Sequence, residues 1–327
     1  MKILVYGAGV IGSLYAARLK QIGADVTVLS RGKRLEAIRT FGIELEDVTT
    51  GKRSSHQVST IDALLPEAPF ELVVVPVRSD QLDGVLPVLG ASRATPSVLF
   101  FGNEARGPGA QIAALGRDRV LLGFPGAGGR IDDGRVVKYL LIPQQRTTLG
   151  ELDGRKSPRL ARIAGAFRSA GFPVGISRDM GDWLTTHAAF VTCIAAAVYV
   201  SGGDAARLAS RSDLLRLMVQ ATREAFRALR AMGVRELPFN LRLLYDVMPP
   251  AFAVRYWRRA LATPLGAFGL AAHAQAARSE MTILAEQITD RLHASSRPTP
   301  ALQRLFGEAG LALARRAPTA RPFPQRS

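Results

Sequence analysis

The first nineteen residues, MKILVYGAGVIGSLYAARL, constrain this chain more than any other stretch. An apolar run breaks at Gly7-Ala8-Gly9-Val10-Ile11-Gly12 and then resumes at helical spacing. The glycine pattern by itself is a weak signal. Placed between a strand and an amphipathic helix it becomes specific. Gly7 permits a tight turn, Gly9 lets the backbone approach a diphosphate, and Gly12 lets helix and strand pack closely. The free N–H groups and dipole of the helix start then face the phosphates.

The alternation that follows sets the fold class. A helix over about 10–22 is followed by DVTVLSR, ELVVVPV, SVLFFG and RVLLGF, each a strand-like run rich in valine and leucine. Such runs fit parallel strands covered on both faces. The expected fold is α/β, with an N-terminal Rossmann-type doubly wound parallel sheet and a C-terminal all-helical domain. GRVVKYLLIP and QRTTLGEL read as a hairpin-like extension, followed by a helix at 157–170 and a short strand, PVGIS. From 180 onward alanine, leucine and arginine recur at helical periods. The expected division is 1–178 as a dinucleotide-binding domain and 179–316 as a helical substrate or dimerisation domain. Residues 317–327 read as a disordered tail.

The second strand ends in VLSRGKR. A carboxylate at this place would bond a ribose 2′-hydroxyl. Arg31 instead offers a planar fork to a 2′-phosphate, and Lys33 and Arg34 follow it, so NADP(H) is the expected cofactor.

The net charge is +16, carried by 43 basic residues of which only six are lysines. The arginines are scattered, aromatics are 7%, and the one dense basic block is Arg315–Arg326, so the pattern favours anionic small ligands over nucleic acid. A single cysteine, Cys193, excludes an intramolecular disulfide. Histidines 56, 187, 273 and 293 lack metal-ligand spacing, so no metal site is expected. The stretch from Leu184 to Val200, interrupted by His187 and threonines, reads as a buried helix rather than a membrane span. With no signal-peptide pattern, a cytoplasmic location is expected.

Several ordered segments together resemble the ketopantoate reductase (2-dehydropantoate 2-reductase) family: KILVYGAGVIGSLYAARL, VTVLSRG, ELVVVPVRSDQL, VLFFGNEARG, TTLGELDG, AGFPVGISRDMGDW and RPTPALQRLF. The likeness covers residues 1 to about 184 well, 279–306 weakly and 200–275 hardly at all. It implies that Arg78 stands where the family has a cofactor-contacting lysine, that Asn103 matches a family asparagine, and that Glu280 contacts the cofactor. It also implies a catalytic lysine two residues after Trp183 and two substrate-binding asparagines four and eight residues further. Those positions are Thr185, Ala189 and Cys193, so this is a divergent member without the family lysine.

Reduction of a ketone creates an alkoxide, so a donor or a positive charge must stand near the oxygen. On a helix starting at 182, residues 185, 189, 192 and 193 share a small, uncharged face. His187 lies nearly opposite and reads as a core or interface histidine. Arg78 cannot release a proton at neutral pH, although it can orient a carboxylate or the cofactor. The proton is then left to water, to His273, which lies one helical turn before Arg278 and could face a cleft, or to another group. Two classes of function stay open. One is an NADP(H)-dependent oxidoreductase acting on a 2-oxo acid or related carbonyl other than ketopantoate, possible as a homodimer. The other is an NADP(H)-binding sensor or interaction protein with little catalysis.

Overall fold

The computed structural model describes residues 1–311. The chain starts β1 (Lys2–Tyr6), α1 (Val10–Gln21), β2 (Asp25–Leu29), α2 (Gly32–Phe41), β3 (Ile43–Asp47), β4 (Arg53–His56), β5 (Ser59–Ile61) and β6 (Leu72–Val75). It continues through α3 (Leu82–Ala91), β7 (Val98–Phe101), α4 (Gly109–Leu115), β8 (Val120–Phe124), β9 (Ala127–Asp132), β10 (Val136–Leu141), β11 (Thr147–Glu151), α5 (Pro158–Ser169) and β12 (Val174–Ile176). These strands form an eight-stranded sheet of order β12-β11-β8-β7-β6-β1-β2-β5 and a four-stranded sheet of order β4-β3-β10-β9. From β8 to β5 all neighbours in the large sheet are parallel. The fold class is α/β with a doubly wound sheet, as the alternation of strand and helix requires.

The small sheet takes the place of the hairpin-like extension expected from GRVVKYLLIP and QRTTLGEL. β10 pairs antiparallel with β9 and parallel with β3, whereas β11 pairs antiparallel with β8 in the large sheet. Pro143 lies between β10 and β11, and it offers no N–H to continue a ladder. The true hairpin turns at Asp133 and Gly134, with φ of 51° and 67°. This Asp-Gly pair is the turn signal that marks it in the sequence.

The sheet divides two apolar cores. Leu14, Tyr15 and Phe167 lie on the face covered by α1 and α5, and Leu86, Leu89 and Phe100 lie on the other. The helical half comprises α6 (Met180–Val200), α7 (Ala205–Ser210), α8 (Ser212–Ala231), α9 (Phe239–Arg242), α10 (Pro250–Leu261), α11 (Ala272–Ala276), α12 (Arg278–His293) and α13 (Pro300–Glu308). Asp179 caps α6 by accepting from the Asp182 N–H, which fixes where the long helix starts. Trp183 and Leu184 pack under the large sheet, and from Ala188 onward α6 runs through the helical core. This helix is long and apolar enough to cross a membrane, but most of its apolar span is buried by the surrounding helices and sheet. The expected tail at 317–327 lies outside the described residues.

Candidate functional site

The chain order reverses at β1, which lies between β2 and β6, and the glycine turn leaves the sheet at that point. In open parallel sheets this switch point opens a crevice beyond the strand ends. Gly7 donates to the Leu29 carbonyl with φ at 113°, a conformation that side chains resist. A Cβ on Gly12 would stand 1.9 Å from the Gly7 carbonyl oxygen, so α1 sits directly on the turn. A Cβ on Gly9 would meet no protein atom within 4 Å. The cradle is therefore closed behind Gly12 and open in front of Gly9, which fits a diphosphate at the helix start.

Arg34 braces the turn. Its Nε donates to the Ala8 carbonyl at 3.1 Å and its Nη2 to Ser13 Oγ at 2.9 Å, while Nη1 reaches the carbonyls of Gly134 and Arg135 in the β9–β10 turn. Burial lowers the guanidinium pKa of Arg34, with Glu44 opposing. Nothing in the sequence signals this role, since the partners lie up to 101 residues away. Arg31 is exposed at the end of β2, its Nε directed at the Asp62 carbonyl at 3.4 Å, and Lys33 is exposed beside it.

A cavity of about 760 Å³ runs from the glycine turn into the helical half, a volume in the range of small-molecule sites. Gly7, Gly9, Val10 and Ile11 line it, whereas Ala8 and Gly12 stand behind the wall and Arg31 stands outside it. Arg78, Asn103 and Glu280 are brought together on one side. Glu280 is buried at the start of α12, where Oε1 accepts from the Ser79 N–H at 3.2 Å and from Asn103 Nδ2 at 3.4 Å. Arg78 Nη1 donates to the Ala276 carbonyl at 2.8 Å, and Ser279 Oγ donates to Asp80. The loops after β6 and β7 thus clasp the α11–α12 turn. Among the described residues, Asn103 Oδ1 and Glu280 Oε2 are buried without a hydrogen-bond partner. Orphaned polar atoms on a cavity wall call for a polar ligand.

His273 Nε2 lies 4.0 Å from Glu280 Oε2, with 39% of its side chain exposed. Its pKa is lowered, first by desolvation and then by the Arg78 charge, with Glu280 opposing. His187 also lines the cavity. It stacks on Trp183 at 5.1 Å and lies 4.0 Å from the Phe124 ring, and burial pushes its pKa down to about 3.

The expected substrate face of α6 turns elsewhere. Thr185, Ala189 and Cys193 are buried and contribute nothing to the cavity wall, where α6 instead presents His187, Phe190 and Val191. Thr185 Oγ1 donates to the Gly181 carbonyl and Thr192 Oγ1 to that of Ala188, which spends both hydroxyls on the helix itself. Burial pushes the Cys193 thiol up to about 12, leaving an inert apolar side chain. A helix apolar on all sides gives no sequence signal of which side meets the cleft. Phe252, Tyr256 and Trp257 of α10 line the cavity, as do Leu241, Leu244 and Met248. Among the described residues, no cluster of His, Cys, Asp and Glu could hold a metal ion.

Residues 3–154 match the family described as ketopantoate reductase PanE/ApbA. A 2-dehydropantoate 2-reductase of Pyrococcus horikoshii is 27% identical over 191 residues, which are 56% of this chain and 58% of the relative. Less than two thirds of that relative is therefore spanned. A putative ketopantoate reductase from Ralstonia solanacearum has a similar fold, with a TM-score of 0.73, 21% identity and coverage of 95% of this chain and 97% of the other. D-mandelate dehydrogenase with NADH and anilino(oxo)acetate gives a TM-score of 0.74 at 14% identity, with the same coverage.

Proposed function

We propose that the chain, whose residues 3–154 match the ketopantoate reductase family, is an NADP(H)-dependent oxidoreductase acting on a bulky, largely apolar 2-oxo acid. The observation that carries this reading is the single cavity joining the glycine cradle to the aromatic helical wall, with Arg78, Asn103, Glu280 and His273 between them. The turn from Gly7 to Gly12 and the amides at the start of α1 hold the diphosphate, and Arg31 with Lys33 takes the 2′-phosphate. When bound, the nicotinamide supplies a hydride to the carbonyl carbon.

The chain's own groups supply the rest. Arg78 is the one permanently charged cation on the cavity wall among the described residues, and it orients a carboxylate. His273 holds the proton for the developing alkoxide in place of a lysine, and Glu280 orients its ring. Phe190, Leu244, Tyr256 and Trp257 exclude water and receive the organic side chain. This wall is too apolar to match a small hydroxylated substrate, so the substrate is not ketopantoate itself.

Loss of nicotinamide absorbance tests the proposal, with NADPH and a panel of aromatic and branched 2-oxo acids. Turnover of a bulky member, with kcat cut about 10²- to 10⁴-fold in His273→Gln while NADPH binding is retained, is the expected result. Because the lowered pKa of His273 leaves it neutral near pH 7, reduction accelerates as pH falls toward that pKa and oxidation slows. Tight NADPH binding without turnover of any member supports the sensor reading instead, which the missing lysine favours. Rapid reduction of ketopantoate overturns the substrate assignment.

A further inference from the structure

The antiparallel pair α8 and α10 encloses a second cavity, of about 930 Å³, on the outside of the helical half. Arg216, Arg223 and Arg227 line it from α8, and Arg255, Arg258 and Arg259 line it from α10. On α8 these positions and Gln220 fall three or four residues apart, so one helical stripe delivers them to one side. None of the six makes a salt bridge among the described residues, although exposed arginines elsewhere do, including Arg53, Arg155 and Arg304.

Among the described residues, the only carboxylate on the groove wall is Glu224, and it is already engaged. Its Oε2 accepts from the backbone N–H of Ala301 at 2.7 Å and of Leu302 at 3.3 Å, where it caps the start of α13. Arg223 is half-buried between its neighbours, and its pKa is lowered by burial and by repulsion from Arg227, with Asp246 opposing. Like charges packed this densely raise the energy of the free protein. An anion entering the groove removes that cost and gains charge-assisted hydrogen bonds.

The composition of the walls narrows the ligand. Val219, Val254 and Pro250 form an apolar floor, so the groove offers more than a charged rim. No aromatic ring among the described residues lines it, because Tyr256 and Trp257 line the other cavity. The stacking platforms that bind single-stranded nucleic acid are therefore missing. A second copy of this arginine face would be repelled. We infer that the α8–α10 groove is a binding site for a multiply phosphorylated small molecule, separate from the dinucleotide cradle. The same α10 helix carries groove arginines on one face and cavity residues on the other, so the two sites share a wall.

Isothermal titration of the full chain with inorganic tripolyphosphate, with and without saturating NADP⁺, tests this inference. The cradle can also take phosphate, and only that component disappears when NADP⁺ is present. Arg227→Gln combined with Arg255→Gln removes one exposed arginine from each helix, neither of which bonds another of the described residues. The expected result is a component that NADP⁺ does not displace, weakened at least about tenfold in this variant. Arg162→Gln with Arg168→Gln, exposed arginines on α5, should change it less than about twofold, and both variants should keep the parent's melting temperature. Absence of an NADP⁺-resistant component overturns the inference, as does equal weakening by both pairs. Tighter, Arg227- and Arg255-dependent binding of a duplex oligonucleotide would reassign the groove to nucleic acid.

Discussion

Two glycines three residues apart separate binding from folding. Gly9 has φ −68° and ψ −170°, values that alanine adopts freely, and its added Cβ would touch no protein atom. Gly9→Ala should therefore leave stability within about 1 kcal/mol of the parent, since a weaker helix cap is offset by a less flexible unfolded chain. The methyl group occupies the space through which a diphosphate reaches the α1 amides. Losing one charge-assisted hydrogen bond costs about 1.5–3 kcal/mol, or roughly 10- to 150-fold in affinity. Gly12→Ala places its Cβ 1.9 Å from the Gly7 carbonyl and 3.2 Å from Pro76 Cγ. Relief requires α1 to move by more than 1 Å from the sheet, at a cost of about 3 kcal/mol. Fluorescence titration with NADPH and urea unfolding of both variants provide the measurements. A Gly9→Ala protein that binds NADPH as tightly as the parent refutes the assignment of the cradle, and one destabilised as much as Gly12→Ala refutes the local packing argument.

Two further outcomes are expected. His187 has its pKa depressed to about 3 by burial and by His273, while the unfolded chain protonates it near the ordinary value of 6.5. Its contribution is therefore fully present above 6.5 and is lost as pH falls toward 3. At about 1.36 kcal/mol per unit, acidification to pH 5 removes about 2 kcal/mol. Urea unfolding at pH 7 and pH 5 should show a loss smaller by about that amount in His187→Phe, and equal losses would exclude this source. Arg31→Asp should shift preference from NADP(H) toward NAD(H), through repulsion of a 2′-phosphate and a new acceptor for a 2′-hydroxyl. Titration with both cofactors checks this, and an unchanged ratio would remove Arg31 from cofactor selection.

The first strand, the glycine turn, the helix behind it and the parallel strands were legible in the sequence because each is a local pattern. A tight turn needs glycine at fixed offsets, and a strand buried on both faces needs a run of valine and leucine. Arg78, Asn103 and Glu280 were nameable as separate candidates through the resemblance of their segments to the ketopantoate reductase family. Tertiary structure decided that Ser79 and Asn103 hold Glu280 across 201 and 177 residues of chain, and that His273 faces it. It also decided that α6 shows the cavity His187, Phe190 and Val191 rather than Thr185, Ala189 and Cys193. A helix enclosed on every side has no polar stripe to declare its orientation. Which face meets a cleft is set by the packing of the two halves, a sum over distant contacts that no short window of residues contains.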